Sequence, residues 1–253
     1  MSSTLGCIGM AVDDEDALDA LVARLLPDAR VVADAGDLRA RRWIDPSGAS
    51  FTMTVRLQDG DDESGVLVDF VPSYVDSVGA AGVRVGVLTG HGQTLAADLV
   101  DADGETVTRI ACDLAQSIAG ELTDVHDGRI TALGLDVTVH ADAAAFAASD
   151  ASILGTPEPG ETPKRFATES LLSYGLFGDP DTAEPTAFLS GTVLSSVSHT
   201  TTELDQGFHA VRISTVGGTM TLCLATTDHP DPPAPGRILS GFCYLVLDVP
   251  ELW

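Results

Sequence analysis

The chain has no long hydrophobic run and is poor in basic residues. No stretch of its 253 residues approaches the roughly 18 uncharged apolar residues that a membrane-spanning helix requires. Lys164 is the only lysine, and 38 acidic residues against 13 basic residues give a net charge of −25. A field of this sign repels phosphate backbones and anionic lipid headgroups. We therefore predict neither a nucleic-acid partner nor a membrane partner.

The cysteines form no CxxC pair. They are widely separated, and each lies among apolar or β-forming residues: Cys7, Cys112, Cys223 and Cys243. This pattern favours free, buried thiols in a reducing compartment over zinc binding or redox chemistry. The first residues contain no basic segment and no small-residue cleavage site, so we expect a cytoplasmic protein.

Several catalytic motifs are also absent from the sequence. GxSxG, GxxxxGK[ST], a helix-opening GxGxxG and HExxH do not occur. Because these motifs are the usual grounds for assigning an enzyme class, we assign no catalytic residue and predict no cofactor.

The first 58 residues carry the pattern of one strand, one helix and three further strands. "LGCIGMAV", residues 5–12, favours a strand, and Asp13 or Asp14 can cap the helix that follows. That helix has apolar residues at helical spacing: Leu18, Leu21, Val22, Leu25 and Leu26. Three strands are predicted next, "ARVVADAG", "LRARRWID" and "SFTMTVRL", the last two joined by a "DPSG" turn. The predicted unit is βαβββ.

This unit resembles the building block of the vicinal-oxygen-chelate family, which includes glyoxalases and dioxygenases. The phrase "RRWIDPSGASFTMTV" is similar to a hairpin common in that family. The resemblance implies metal ligands, usually His and Glu, on the first and last strands of the module. Those strands read "CIGMAV" and "SFTMTV" here, without an imidazole or a carboxylate. The positions for the family's metal chemistry are therefore missing.

The rest of the chain favours strands in two groups. Residues 65–140 contain five predicted strands, and "AAAFAASDAS" fits either a short helix or an irregular edge. "GTPEPGETPK", residues 155–164, has the composition of an exposed linker, so we predict an α+β domain over 1–154 and a second domain over 165–253. The second domain resembles an OB-like barrel, with an amino-terminal docking arm, five short strands, and bends at Gly191 and Gly241. The predicted fold class is α+β, mostly antiparallel β.

Three histidines in the second domain are candidate metal ligands. His199 and His209 flank "TTTELDQGF", and His229 follows the next predicted strand. Three neutral imidazoles and a water molecule would form a zinc site of the catalytic type. The alternative is an ordinary turn with an exposed histidine at each edge, because the spacing does not fix whether these side chains share one face of a sheet.

Two other groups of residues are candidates for ligand binding. Arg39 and Arg41 share one face of a predicted strand beside Trp43, and could hold a carboxylate or phosphate or simply balance the acidic surface. His91 lies between glycines in "TGHGQT", where it could contact a ligand or lie in a mobile loop. "DADGE", residues 101–105, has the spacing of a calcium loop but lacks its later ligands, and a turn explains it.

Two functions remain open from the sequence. The leading hypothesis is a non-enzymatic binding or protein-interaction module, because no catalytic constellation is found and exposed strand edges can pair with a partner. The alternative is a small-molecule-binding or glyoxalase-like enzyme that uses the concave face of the first domain. The partner would be another protein, a small molecule or a second copy of the chain.

Overall fold

A computed structural model describes residues 3–58, 61–75, 83–91, 94–101, 103–116, 125–177 and 184–250, and the side chains of these except 58, 61–64, 83–91 and 125–127. More than half of the described residues lie in strands, so the mostly β fold class is confirmed. The described residues contain two α-helices, α1 (Glu15–Leu25) and α2 (Ala143–Ala148). No helix among them is long and apolar enough to cross a membrane.

Thirteen strands are formed by the described part of the chain. In order they are β1 (Arg30–Ala35), β2 (Leu38–Ile44), β3 (Ala49–Gln58), β4 (Asp61–Tyr74), β5 (Val83–His91), β6 (Thr94–Val100), β7 (Thr106–Leu114), β8 (Val125–His140), β9 (Ser170–Ser173), β10 (Thr186–Thr200), β11 (Gly207–Thr215), β12 (Gly218–Ala225) and β13 (Ile238–Asp248).

The chain begins with a buried turn in place of the predicted first strand. Gly6–Ile8 form a short 3₁₀ turn that ends at Gly9 in the left-handed conformation, with φ +69°. A Cβ atom at Gly9 would lie 2.6 Å from the carbonyl oxygen of Gln206, so this close approach requires glycine. The βαβββ prediction is therefore wrong in its first element. The helix is as predicted: α1 begins after Asp14, whose Oδ1 accepts a hydrogen bond from the Ala17 amide at 2.8 Å.

Strands β1 to β4 form an antiparallel four-stranded sheet in chain order. β3 is its most protected strand, because residues 49–55 are buried on both faces. Phe51 and Met53 belong to the same apolar cluster as Leu21 and Leu25 of α1. That cluster also contains Phe208 of β11, so it joins this sheet to the rest of the molecule.

Strands β8, β13, β10, β11 and β12 close into a five-stranded barrel. Four of its neighbouring pairs are antiparallel, and β12 runs parallel to β8 through Thr221 to Cys223. β5, β6 and β7 complete a second closed circuit with β8 and β13. The two circuits thus share one pair of strands.

The strand pairing does not follow the predicted division at residues 155–164. β8 precedes this segment, yet it pairs with β13 over eleven positions from Arg129 to His140. One apolar cluster also includes residues from both sides, such as Ile110 and Leu245. The segment is exposed, as expected, but it is a loop closed by the Leu154 amide and the Lys164 carbonyl, 2.8 Å apart. Residues 165–253 alone therefore do not form the barrel.

Two smaller elements resolve what the sequence left open. "AAAFAASDAS" contains α2, which begins after Asp142, whose carboxylate accepts a hydrogen bond from the Ala145 amide at 2.8 Å. The predicted docking arm contains β9, which pairs with β10 and extends the sheet by one strand. Phe166 of the same arm stacks on Phe188 with ring centroids 4.3 Å apart.

The four cysteines are free and buried, as predicted from their neighbours. Burial, followed by the charge of Asp228, raises the pKa of Cys7 to about 12. Burial also raises the pKa of Cys112 and Cys243 well above the ordinary thiol value. Because a thiolate is the reactive form, these thiols act as small apolar side chains in the interior.

Candidate functional site

A cavity of about 510 Å³ lies on the outside of the barrel. One wall is the β2–β3 turn together with the end of β4, and the floor is the outer face of β10, β11 and β12. The floor contains six residues: Ser195, Val197, His199, Ala210, Arg212 and Thr221. The volume of the cavity is within the range of about 300–1,000 Å³ that is typical of small-molecule sites.

The strand register arranges the floor in three rows that cross the barrel wall. Arg212 pairs with Ser195 on one side and with Thr221 on the other, so two hydroxyl-bearing residues flank it on the same face. Val197 and Ala210 pair in the next row, which is apolar. His199 pairs with Phe208 in the third row, and the two rings stack with centroids 5.1 Å apart. Along the strands, the floor of the cavity therefore presents first a cationic row, then an apolar row, and then a row with an imidazole ring.

Arg212 is the charged residue in the floor of this cavity. It is partly buried, and within the part of the chain that the structure describes its guanidinium makes no hydrogen bond and no ion pair. By contrast, Arg24 and Arg109 each form an ion pair with a carboxylate. In a chain with a net charge of −25, an arginine in a cavity floor whose donors are not bound by any described group is suited to hold an anion.

The rim of the cavity is fixed by Asp45, which is almost completely buried. Its Oδ1 accepts a hydrogen bond from the Ser47 amide at 2.8 Å, and its Oδ2 accepts one from the Thr202 amide at 2.9 Å. Both oxygens are therefore used by backbone donors. The carboxylate ties the β2–β3 turn to the loop between β10 and β11.

That loop, residues 201–206, also binds the beginning of the chain. Thr201 Oγ1 donates to the carbonyl of Gly9 at 2.7 Å, and the Gln206 side-chain amide exchanges two hydrogen bonds with the backbone of Ala11, at 2.7 and 3.0 Å. The polar stretch between His199 and His209 is thus a turn held in place by its own side chains.

The far end of the cavity is formed by Tyr74 and His199. The Tyr74 hydroxyl lies 3.3 Å from His199 Nε2, and the tyrosine ring packs edge-on against Phe208. Burial, and to a smaller extent the nearby His209, lowers the pKa of His199 below its ordinary value, so the imidazole is neutral at pH 7. Gly48 makes room for this tyrosine, because a Cβ atom there would lie 2.7 Å from the Tyr74 ring.

The structure separates the three histidines that were predicted as metal ligands. His199 pairs with Phe208 and His209 pairs with Ser198, so adjacent register positions direct the two imidazoles to opposite faces of the barrel wall. His209 Nδ1 lies 3.0 Å from Ser198 Oγ, and its Nε2 lies 2.9 Å from the His229 carbonyl oxygen. The described residues contain no group of three or more His, Cys, Asp or Glu that could hold a metal ion. Zinc binding stays a prediction from the sequence, and this geometry gives it no support.

The predicted arginine site is not brought together with the cavity. Arg39 is bound to Asp34 through Nε, at 2.6 Å, as in the surface-balancing alternative. Arg41 is partly buried two positions further along β2, and Trp43 stacks on Phe51 with centroids 5.8 Å apart. His91 ends β5, and its side chain lies outside the described residues. Ligand binding by these four residues stays a prediction.

The acidic stretch at residues 101–105 forms the expected turn between β6 and β7. Asp101 Oδ1 accepts hydrogen bonds from the amides of Asp103 and Glu105, at 2.9 and 3.0 Å. The Asp101 carboxylate is thus used inside the turn.

Sequence reasoning missed Arg212 and Tyr74 as members of a site. The only signal available was the strand alternation, which puts Arg212 on the face opposite Val211 and Ile213. It does not reveal which other element covers that face. Comparison with known proteins gives no match to any family model, curated protein or solved structure. Function must therefore be argued from the cavity itself.

We expect the protein to lose stability on mild acidification. Burial lowers the pKa of His140, His199 and His229 below the ordinary value of 6.5. Below about pH 6.5 the unfolded chain therefore binds more protons than the folded chain. The free energy of unfolding thus decreases as the pH is lowered. Urea unfolding from about pH 7.5 to about pH 5.5 measures this loss.

A variant that carries glutamine at these three positions is the control for the acidic residues, which also begin to titrate at low pH. Its stability is expected to change less than that of the wild type over the same pH range. Equal pH dependence of the two proteins would contradict the assignment to the histidines.

Proposed function

We propose that the protein is a binding protein for small anionic molecules, and that the cavity on the outside of the barrel is its binding site. The observation that carries the proposal is Arg212, a partly buried arginine in the cavity floor that makes no ion pair among the described residues. An arginine fork binds carboxylate or phosphate through two parallel hydrogen bonds.

The surroundings of Arg212 support an anion. Ser195 and Thr221 lie on either side of it on the same face, so their hydroxyls can donate to an oxygen held by the guanidinium. Asp45 is the acidic residue of the rim, and its two oxygens are already hydrogen-bonded to backbone amides. Arg212 is therefore the charged side chain of the lining whose hydrogen-bonding groups are not already used by described residues.

Binding is proposed in preference to catalysis because the cavity groups act as hydrogen-bond donors and apolar contacts. His199, the residue with acid–base chemistry, has its Nε2 next to the Tyr74 hydroxyl. We also propose a cytoplasmic location, because a reducing compartment maintains four free thiols.

The test is binding of two anions with an apolar body, 4-phenylbutanoate and phenyl phosphate, measured by isothermal titration calorimetry. Arg212→Gln is expected to weaken binding of the anion by roughly tenfold to a hundredfold, the size of a hydrogen bond to a charged group. Arg212→Lys keeps the charge but not the fork, so an intermediate loss is expected.

Arg237→Gln is the matched control, because Arg237 is exposed outside the cavity and the same charge is removed. Its affinity is expected to stay at the wild-type value. The proposal is wrong if neither anion binds, or if Arg212→Gln and Arg237→Gln bind equally well.

A further inference from the structure

We infer that the ligand is an elongated monocarboxylate, with its carboxylate on Arg212, an apolar body over Val197 and Ala210, and a hydrogen-bonding group that reaches the Tyr74–His199 pair. The inference rests on the proposed function and adds the chemical class of the ligand. It follows from three properties of the cavity: its charge, its apolar middle and its length.

The cavity lining contains one cation, Arg212, and one carboxylate, Asp45, whose two oxygens are held by backbone amides. Arg212 is the only cationic side chain in its lining, within the described residues, because the imidazole of His199 is neutral at pH 7. A phosphate monoester carries close to two negative charges, so one of them would have no partner. The net charge of −25 makes such an excess unfavourable, whereas a carboxylate is balanced by a single guanidinium.

Exposed aliphatic side chains occur in both the floor and the wall of the cavity. Val197 on the floor is 55% exposed, and Ile44 at the start of the opposite turn is 51% exposed. Large aliphatic side chains left open to solvent in a cavity lining would bury apolar area against a bound ligand. This favours a ligand whose body is aliphatic or aromatic over a compact polar anion such as oxalate.

The length of the cavity sets the distance between the two polar ends of the ligand. Ser195 and His199 are four positions apart on β10, which corresponds to about 13 Å along a strand. Because the carboxylate would be held at the end of the Arg212 side chain rather than at the strand backbone, we place it roughly 8–11 Å from the distal group of the ligand. The Tyr74 hydroxyl and His199 Nε2 lie 3.3 Å apart, and a hydroxyl at the distal end of the ligand can hydrogen-bond to this pair.

Four matched ligands separate these properties: 4-(4-hydroxyphenyl)butanoate, its primary amide, 4-phenylbutanoate, and 3-(4-hydroxyphenyl)propyl phosphate. Calorimetry at about pH 7.5 is expected to give the hydroxyphenyl carboxylate the highest affinity. The amide should bind at least about tenfold more weakly because it loses the charged hydrogen bonds. The phosphate should also bind more weakly than the carboxylate.

Tyr74→Phe tests the far end of the cavity. It should weaken the hydroxyphenyl carboxylate by roughly threefold to tenfold and leave 4-phenylbutanoate unchanged, because only the first ligand presents a hydroxyl there. Tyr174→Phe, at a 40% exposed tyrosine outside the cavity, is the matched control and should change neither affinity.

The outcomes distinguish the inference from the proposed function. If the phosphate binds more tightly than the carboxylate in an Arg212-dependent way, the inference is overturned and the anion site stands. If Tyr74→Phe affects both carboxylates equally, the assignment of the distal group is overturned. If the amide equals the carboxylate and Arg212→Gln changes nothing, or if none of the four ligands binds, both are overturned.

Discussion

Asp248→Ala is expected to lower the free energy of unfolding by about 3–5 kcal/mol, the cost of removing one partner from a buried ion pair. Asp248 Oδ2 accepts a hydrogen bond from Arg42 at 3.1 Å, and each side chain is 5% exposed. Asp248 Oδ1 accepts a second one from the Gln116 amide at 2.8 Å. Without the carboxylate, the guanidinium stays buried and loses the ion pair with Asp248. Urea unfolding of the variant and the wild type measures the difference.

Two further variants make this expectation specific. Asp34→Ala removes the partner of Arg39 in an exposed ion pair and should cost less than about 1 kcal/mol. The double replacement Arg42→Met with Asp248→Leu removes both charges and should recover much of the loss, because buried pairs exchange well for apolar residues. If Asp248→Ala costs no more than Asp34→Ala, the pair does not contribute as argued.

The two residues of this ion pair lie on the two parts of the chain that form the cavity. Arg42 lies on β2 only three positions before Asp45, which fixes the rim, and Asp248 ends β13 of the barrel. The pair therefore attaches the sheet that supplies one cavity wall to the barrel that supplies the floor. We expect a folded Asp248→Asn variant to bind the ligand more weakly, because weakening the ion pair would allow that wall to move.

Local patterns predicted most of the strands and the start of α1. Two-residue alternation is visible within each strand, and the cap at Asp14 depends on residues three positions away. The strand predicted at residues 5–12 failed because its apolar residues suit any buried backbone, and Gly9 allows a left-handed turn there. Apolar runs of this length do not distinguish a strand from a buried coil.

These local patterns could not predict contacts between residues that are distant in the sequence. Thr131 pairs with Thr221 across the predicted linker, and no local signal indicates that β8 completes the barrel. The basic cluster on β2 illustrates the same limit. Arg39 and Arg41 were chosen because they share a face, yet Arg42 on the other face has the buried carboxylate. Arg212 looked like an ordinary strand residue until the register put it in a cavity floor.

Gly241→Ala is expected to disrupt the pairing of β13 with β8 and to lower the free energy of unfolding by about 2–5 kcal/mol. Gly241 has φ +155°, a conformation that residues with a side chain rarely adopt. An added Cβ atom would overlap the carbonyl oxygen of Asp136 and lie 2.7 Å from Cα of Val137. Overpacking costs typically 1–3 kcal/mol, and an unfavourable backbone conformation adds about 1–2 kcal/mol.

The obstacle at Gly241 is backbone, which cannot swing away as a side chain can. β8 would have to separate from β13 next to the register shift between Phe242 and Cys243. Gly236→Ala is the matched control, since Gly236 has φ +83° but nothing within 4 Å of an added Cβ atom. It should show the conformational cost alone, about 1–2 kcal/mol. Equal losses at the two positions, measured by urea unfolding, would mean that β8 and β13 are not packed this closely next to their register shift.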